Sequence, residues 1–323
     1  MKHIDGLQQY IKENNFSQLF LLTDTNTSVH CMPLLLEKAD IIADMQAVLL
    51  EIPAGEENKN LQTAENLISA LSESRADRNA CLLSLGGGCV TDMGGFVASV
   101  YKRGIQNINL PTTLLAMVDA SVGGKTAVNH SGIKNLIGTF NFKSEVFVDT
   151  EFLFSLNEEQ ILEGSTEMLK TFLVCDAPSA LKFIDCRPVL SDITPFINPC
   201  IMMKEQTVKA DPTDTGIRRK LNFGHTLGHA VEMYYHLPHG VSVAAGMLYA
   251  LDLSVRHCGF DRVKAGKIEQ YIRNNYTVPD YEKDLKELYS LMLNDKKNTD
   301  GCINFVLLED IARPCMFKMN SLL

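Results

Sequence analysis

The sequence predicts an α/β N-terminal domain with a parallel-type sheet, followed by an all-α C-terminal domain. Three observations carry this prediction. Short apolar runs alternate with helix-length segments through the first half. Those runs are apolar at successive positions rather than at every second one, as strands covered on both faces are. From about Thr150 the strand pattern gives way to helical periodicity. The boundary is therefore set near Thr150, with domains of residues 1–150 and 151–323.

In order, Leu19–Leu22, Ala47–Leu50, Cys81–Leu85, Ile108–Leu110 and Val146–Val148 read as buried strands. Leu61–Ser74 and Val90–Tyr101 are the helix-length segments between them. In the second half Glu158–Val174, Thr194–Ala210, Lys220–Tyr235, Val241–Cys258, Ala265–Asn274 and Tyr281–Leu293 read as helices. One short β segment, Ile303–Leu308, follows them. An α/β domain followed by a helical one is expected to leave a cleft between them, where small molecules bind.

Composition narrows the class. The 323 residues suffice for two ordinary domains, and 46% hydrophobic with 21% charged residues fits a folded soluble protein. No apolar run approaches the roughly 18 residues of a membrane span. The N-terminal MKHIDGLQQYIKENN has no apolar signal core, so no membrane association and a cytoplasmic location are expected. A net charge of −9 argues against a general nucleic-acid binder, yet leaves room for a small anionic substrate in a locally basic cleft. The nine cysteines include no CxxC spacing and read as reduced thiols.

The richest stretch runs from Ser84 to Ala127, SLGGGCVTDMGGFVASVYKRGIQNINLPTTLLAMVDASVGGKTA. Gly86-Gly87-Gly88 ends a strand and opens a helix, where bare backbone can approach a pyrophosphate and the helix amides face it. A tight strand-to-helix turn would also explain the triplet, and the GxGxxG dinucleotide fingerprint is absent. Asp92 follows in the first turns of that helix, suited either to the helix dipole or to a ribose or substrate hydroxyl. Thr112 and Thr113, after Pro111, again open a helix, as plain caps or as phosphate and adenosine contacts. Ser121-Val122-Gly123-Gly124-Lys125-Thr126 resembles half of a P-loop without its spacing, so no ATP site is read there. Lys125 and Lys134 are candidate anion contacts.

A second cluster has metal-ligand character. His225, His229, His236 and His239 are four of the eight histidines and fall within fifteen residues. His225 and His229 share one helix face, but Thr226 stands where HExxH would need glutamate. A catalytic zinc takes three protein ligands, and Glu167 is a candidate for the remaining one.

At these residues the chain resembles the dehydroquinate synthases of the sugar-phosphate cyclase family. The match runs from about Asp24 to Lys297 through Gly55-Glu56-Glu57-Asn58-Lys59, GGGxxxD, Arg103-Gly104, PTTLLAxVDxSVGGKTAVN, Gly132-Ile133-Lys134-Asn135, Glu167-Met168-Leu169-Lys170, LNFGHTLGHA, His239-Gly240 and Asp295-Lys296-Lys297. The resemblance implies an NAD-binding N-terminal domain, a metal-binding helical C-terminal domain and a homodimer. It implies zinc, or another divalent metal such as cobalt, on Glu167, His225 and His239. NAD would meet Asp24, Glu56, Lys59, Gly87, Gly88, Asp92, Thr112, Thr113, Lys125, Lys134, Phe152 and Ser155. The sugar phosphate would meet Lys125, Lys170, Lys204, Arg218, Asn222, His229, Lys296 and Lys297, with Asp119 and Asn135 in the catalytic set. Arg103 would reach the neighbouring subunit's phosphate site.

The chemistry so implied is conversion of deoxyheptulosonate phosphate (DAHP), a substrate of the shikimate pathway toward aromatic amino acids. Oxidation of one carbon acidifies the neighbouring C–H, phosphate leaves as its own base, the hydride returns, the ring opens and an aldol step closes the carbocycle. The chain departs from the family pattern at Asn157, Glu159 and Gln160, at Phe142 and Lys143, at Pro212 and at Val241. These departures touch loop geometry and supporting contacts, not the proposed ligands. A sister cyclase on another sugar phosphate and a metal-dependent NAD polyol dehydrogenase are the alternatives.

Overall fold

A computed structural model describes residues 2–293 and 302–319. The chain divides into two compact units, Met1–Asn157 and Glu158–Leu323.

The first unit contains β1 (Lys2–His3), α1 (Leu7–Asn14), β2 (Leu19–Asp24), α2 (Thr27–His30), α3 (Met32–Lys38), α4 (Ile41–Asp44), β3 (Val48–Ile52), α5 (Leu61–Glu73), β4 (Cys81–Gly86), α6 (Gly88–Val100), β5 (Gln106–Pro111), β6 (Lys125–His130), β7 (Ile133–Phe140) and β8 (Ser144–Val148). Six of these strands form a parallel sheet in the order β1-β8-β5-β4-β2-β3. After β2 the chain steps outward to β3, then returns to the other side of β2 as β4. This reversal makes a switch point at the carboxyl ends of β2 and β4, where open α/β sheets bind ligands. Asp24 and Gly86 stand at those ends.

Strands β2 and β4 are buried almost throughout, as their unbroken apolar runs predict. The edge strand β3 differs, with Leu49 and Glu51 exposed between buried Leu50 and Ile52. Helix α6 lies so close on the sheet that a Cβ at Gly94 would sit 1.9 Å from Ser84 Oγ. Polar positions inside the sheet satisfy one another. Ser84 Oγ donates to Asn107, and Asn107 Nδ2 donates to Asn109 and to Ser144 Oγ.

The candidate anion contacts Lys125 and Lys134 lie on β6 and β7, which form an antiparallel hairpin. Its turn residues Ser131 and Gly132 both have positive φ, 51° and 77°, the geometry that lets two-residue turns follow the strand twist.

The second unit contains α7 (Glu158–Cys175), α8 (Ala177–Phe183), α9 (Leu190–Ala210), α10 (His225–Tyr235), α11 (His239–Cys258), α12 (Arg262–Asn275), α13 (Leu285–Leu293), β9 (Ile303–Asp310) and β10 (Arg313–Met319). The expected helix Lys220–Tyr235 is broken. A 3-10 turn covers Ile217–Asn222, Gly224 takes φ 78°, and α10 begins at His225. The expected single β segment is one arm of a hairpin, because β10 pairs antiparallel with β9. Its mixed burial leaves only a weak strand signal in sequence. The hairpin is tied to two helices: Thr226 Oγ1 donates to Asn304 O at 3.0 Å, and Leu308 N donates to Ser254 Oγ at 3.0 Å.

Candidate metal centre and nucleotide cradle

Three glycines bring the helices of the second unit close enough to converge side chains. A Cβ at Gly246 would meet Gly224 O at 1.8 Å, and one at Gly228 would meet Ser242 O at 3.1 Å, so α10 and α11 touch by backbone. A Cβ at Gly240 would lie 2.6 Å from Glu163 Cα, which sets the start of α11 against α7. The first residues of α10 and α11, His225 and His239, thereby face Glu167 on α7.

One ligand atom from each of Glu167, His225 and His239 lies within 4.8 Å of the others. Glu167 Oε1 is 3.6 Å from His225 Nε2 and 3.3 Å from His239 Nε2. The outer nitrogens are held: His225 Nδ1 contacts Phe223 O at 3.2 Å, and His239 Nδ1 contacts Glu232 Oε2 at 3.0 Å. Both rings therefore aim Nε2 at one point, the arrangement of metal-bound histidines with oriented outer partners. Glu167 is fully buried, and among the described residues its Oε1 takes no hydrogen bond of good geometry, with only the two Nε2 atoms nearby. A divalent ion would satisfy that orphaned oxygen, and two imidazoles with one carboxylate suit zinc or cobalt.

The electrostatics agree. Burial alone would raise the Glu167 pKa, but the Lys170 ammonium and His239 hold its carboxyl well below the usual range. Glu167 Oε2 accepts directly from Lys170 Nζ. Burial alone would lower the His239 pKa, but Glu167 and Glu232 push it up to about 10. The carboxylates of Glu167 and Glu232 thus flank the His239 imidazole.

Other proposed substrate residues gather in the same unit. The ring of His229 is 5.3 Å from that of His225 and 6.4 Å from that of His239. Lys170, Lys204 and Arg218 are all buried. Arg218 Nη1 donates to Pro212 O at 2.9 Å, and its backbone N donates to Asp211 at 3.1 Å. Asp211 also accepts from Thr215 N and Gly216 N, so one carboxylate shapes the 211–218 loop. Desolvation would raise its pKa, but these amides and the Arg218 charge lower it. At Pro212, one of the departures from the family pattern, the backbone carbonyl holds Arg218. Asn222 ends the 3-10 turn before His225, and Val241 lies in the first turn of α11. Lys296 and Lys297 lie outside the described residues.

In the first unit the glycine turn sits at the switch point. A Cβ at Gly87 would meet Thr113 Cγ2 at 3.0 Å, and one at Gly88 would meet Ala120 at 3.3 Å. Thr112 N donates to Gly86 O, which ties the two strand ends together. No side chain caps α6, so its leading amides face the bare turn. A cradle this free of side chains fits a dinucleotide pyrophosphate.

Beside the cradle, Lys59 is only 4% exposed and bonds Asp92 Oδ2 at 2.5 Å and Asn135 Oδ1 at 2.7 Å. Burial would lower its pKa, but Asp92 and Glu56 outweigh this and raise it. Glu56 accepts from Asn129 Nδ2 at 2.8 Å and from Cys89 Sγ at 3.3 Å. Asn135, at φ 52°, donates its backbone N to Asn129 Oδ1. Four expected residues, Glu56, Lys59, Asp92 and Asn135, thus form one network. Asp24 instead accepts from Asn26 N, Thr27 N and Thr27 Oγ1, capping the turn after β2. Ser155 Oγ donates to Phe152 O, and Phe152 is buried. Lys125 and Lys134 lie on the hairpin, exposed, and Arg103 is exposed at φ 68°. Asp119 is half-buried in the π-helical turn Ala116–Ala120. Phe142 is exposed and stacks on Phe140 with ring centroids 5.8 Å apart.

Glu232, Asn129 and Cys89 are not in the sequence-derived set. Glu232 had a signal, since it lies seven residues past His225 on the same helix face. Asn129 and Cys89 had none, because their common partner Glu56 lies in a turn 73 and 33 residues away in the chain.

The 3-dehydroquinate synthase N-terminal family model matches residues 49–163, and the 3-dehydroquinate synthase C-terminal model matches residues 164–298. The chain is 41% identical over 315 residues to the 3-dehydroquinate synthase of Parabacteroides distasonis, covering 95% of this chain and 88% of that protein. Its structure is similar to that of 2-deoxy-scyllo-inosose synthase complexed with carbaglucose-6-phosphate, NAD+ and Co2+ (TM-score 0.85, 25% identity, 98% of this chain and 90% of that one). The fold is shared with ValA, a 2-epi-5-epi-valiolone synthase from Streptomyces hygroscopicus subsp. jinggangensis with NAD+ and Zn2+ bound (TM-score 0.80, 22% identity, 96% and 89% coverage). Both halves match in order, and the ligand set and glycine turn fall inside the matched segments: the chain belongs to the 3-dehydroquinate synthase family.

Proposed function

We infer that this chain converts DAHP to 3-dehydroquinate and inorganic phosphate, as a carbon–oxygen lyase acting within a homodimer. The observation that carries the reading is the convergence of Glu167, His225 and His239 on one point beside buried Lys170, in a chain matched by both family models. Gly87, Gly88 and the open N-terminus of α6 would receive the pyrophosphate of NAD, with Thr112, Thr113, Phe152 and Ser155 along the nucleotide. Lys59, fixed by Asp92 and Asn135, would present those two polar groups to it. Glu167, His225 and His239 would hold zinc or cobalt. Bound there, the metal would supply Lewis acidity at a substrate hydroxyl and NAD would supply a reversible hydride acceptor.

The chain's own residues orient the substrate and hold its charge. Arg218 is assigned the carboxylate, because a planar guanidinium held by Pro212 presents a fixed fork. Lys125, Lys170 and Lys204 are assigned the phosphate and developing oxyanions, and His229 and Asn222 the reacting hydroxyls. Burial of Lys170, Lys204 and Arg218 strengthens each of these contacts relative to water. The leaving phosphate carries the proton from the acidified carbon, so no dedicated protein base is required.

A sister cyclase is the second reading, favoured by the likeness to 2-deoxy-scyllo-inosose synthase. The test is phosphate release from DAHP with NAD and zinc, with NADH absorbance followed in parallel. Phosphate release without net NADH, abolished by chelation, supports the reading. Release from other sugar phosphates but not from DAHP moves the assignment to the sister activity. Steady NADH from a simple polyol with no phosphate moves it to a dehydrogenase.

A further inference from the structure

Cys258, the last residue of α11, and Cys315, on β10, bring their sulfurs to 3.5 Å, with Cys315 donating its S–H to Cys258. They are 57 positions apart, so only the fold pairs them. Both are partly exposed. The surrounding contact is already set, because the His257 ring stacks on Phe317 with centroids 5.0 Å apart. On the far side, Cys315 pairs with Leu307 in the β-hairpin, whose Leu308 N is held by Ser254 of α11. Closing a disulfide of about 2.05 Å asks the sulfurs to approach by about 1.5 Å, within reach of small χ adjustments.

Plain packing of two thiols would also place sulfurs in contact, but it does not call for partial exposure or for a directed S–H···S bond. That bond assigns unequal roles. Burial first, then the Cys258 neighbour, pushes the Cys315 thiol up to about 12, so Cys315 keeps its proton at neutral pH. Cys258 accepts that S–H and does not donate it, so it is the sulfur set to attack.

We propose that Cys258 and Cys315 form a reversible dithiol–disulfide couple, with Cys258 attacking and Cys315 resolving. The oxidant is a small disulfide such as oxidised glutathione. Cys258 thiolate attacks one of its sulfurs, forming a mixed disulfide and expelling one thiolate. Cys315 then loses its proton, attacks the Cys258 sulfur and expels the second. One S–S bond is broken and one formed, the protein loses two electrons and two protons, and two small thiols result. The product ties the C-terminal end of α11 to β10 and closes the chain from residue 258 to 315. α11 also carries His239 at its other end, so the bond would restrain the helix that presents a proposed metal ligand. Exchange runs through thiolates, so closure accelerates as pH rises.

The experiment incubates the purified full chain with oxidised glutathione, blocks remaining thiols and digests without reduction. A linked peptide holding Cys258 and Cys315, lighter by two hydrogens and released by dithiothreitol, is expected. In Cys315→Ser the resolving thiol is missing, and glutathione should stay trapped on Cys258. Cys315→Val serves if the serine variant does not fold. The proposal fails if folded wild-type protein gives no such link at pH 8.5. It fails equally if the resolving-thiol variant carries no adduct on Cys258.

Discussion

Glu232 and His239 are joined by a 3.0 Å contact from carboxylate to Nδ1, while Nε2 of the same ring stands 3.3 Å from Glu167 Oε1. One side chain outside the three-residue ligand set therefore selects which imidazole nitrogen is available. With Nδ1–H donated to Glu232, Nε2 is the nitrogen aimed into the centre, and a metal would take its lone pair in place of its proton.

Glu232→Ala should weaken metal affinity by about 10–100-fold while the fold is kept. Glu232→Gln should lose less, because its carbonyl oxygen still accepts from Nδ1. His239→Ala removes a ligand and should abolish retention. Zinc competition against a chromophoric chelator measures all three, and full zinc content in purified His239→Ala protein would refute the ligand set.

The metal-free protein should show a definite pH response. His239 is raised to about 10 by its two carboxylates, against about 6.5 in an unfolded chain. Its protonated form therefore stabilises the apoprotein fully below about pH 6.5, and this contribution is lost as pH rises through about 10. The thermal midpoint difference between chelated wild type and His239→Gln should shrink over that window. Zinc must displace the same proton, so affinity should climb with pH across it. A pH-independent zinc affinity would contradict the protonated apo-site.

Asp92→Ala should strip buried Lys59 of its nearest counter-charge, since Glu56 is 4.0 Å away. Leaving such a charge poorly paired costs about 3 kcal/mol, read as a lower urea midpoint. NAD affinity should fall in the same variant. Asp92→Asn keeps a hydrogen-bond acceptor and should lie between the two.

At Gly246, helix propensity and packing pull in opposite directions. Alanine in a helix interior gains about 1 kcal/mol over glycine. The added Cβ would sit 1.8 Å from Gly224 O, a backbone atom that cannot yield cheaply. Overpacking of this kind costs about 1–3 kcal/mol or more, so Gly246→Ala should destabilise. Because it spreads α10 from α11, it should also weaken zinc binding. Gly266, with nothing within 4 Å of its Cβ, is the control in which alanine should be neutral or stabilising.

Arg103→Ala should lose activity and regain part of it when mixed with a subunit dead in its own cleft but intact at Arg103. No recovery in such mixtures would count against a site shared between subunits.

Much of this protein was legible in its sequence because the signals were local. The apolar run Leu19–Leu22 and the run Cys81–Leu85, interrupted only by Ser84, state burial on both faces, and these became central parallel strands. The glycine triplet after Leu85 and the GHTLGHA run mark the candidate cradle and the helix that opens with His225 within a few residues each. Glycine and histidine act through backbone freedom and ligand chemistry, which a residue name already states. The tertiary structure decided the rest. The break at Gly224 depends on backbone contact with α11, so the sequence reads one helix where there are two elements. The β6–β7 and β9–β10 hairpins depend on pairing partners rather than on intrinsic periodicity. Glu232 reaching His239, Asn129 bridging Glu56 to Asn135, and Cys258 meeting Cys315 are all contacts between separate elements. Their energies arise from distance and burial, which exist only once helices and strands have packed.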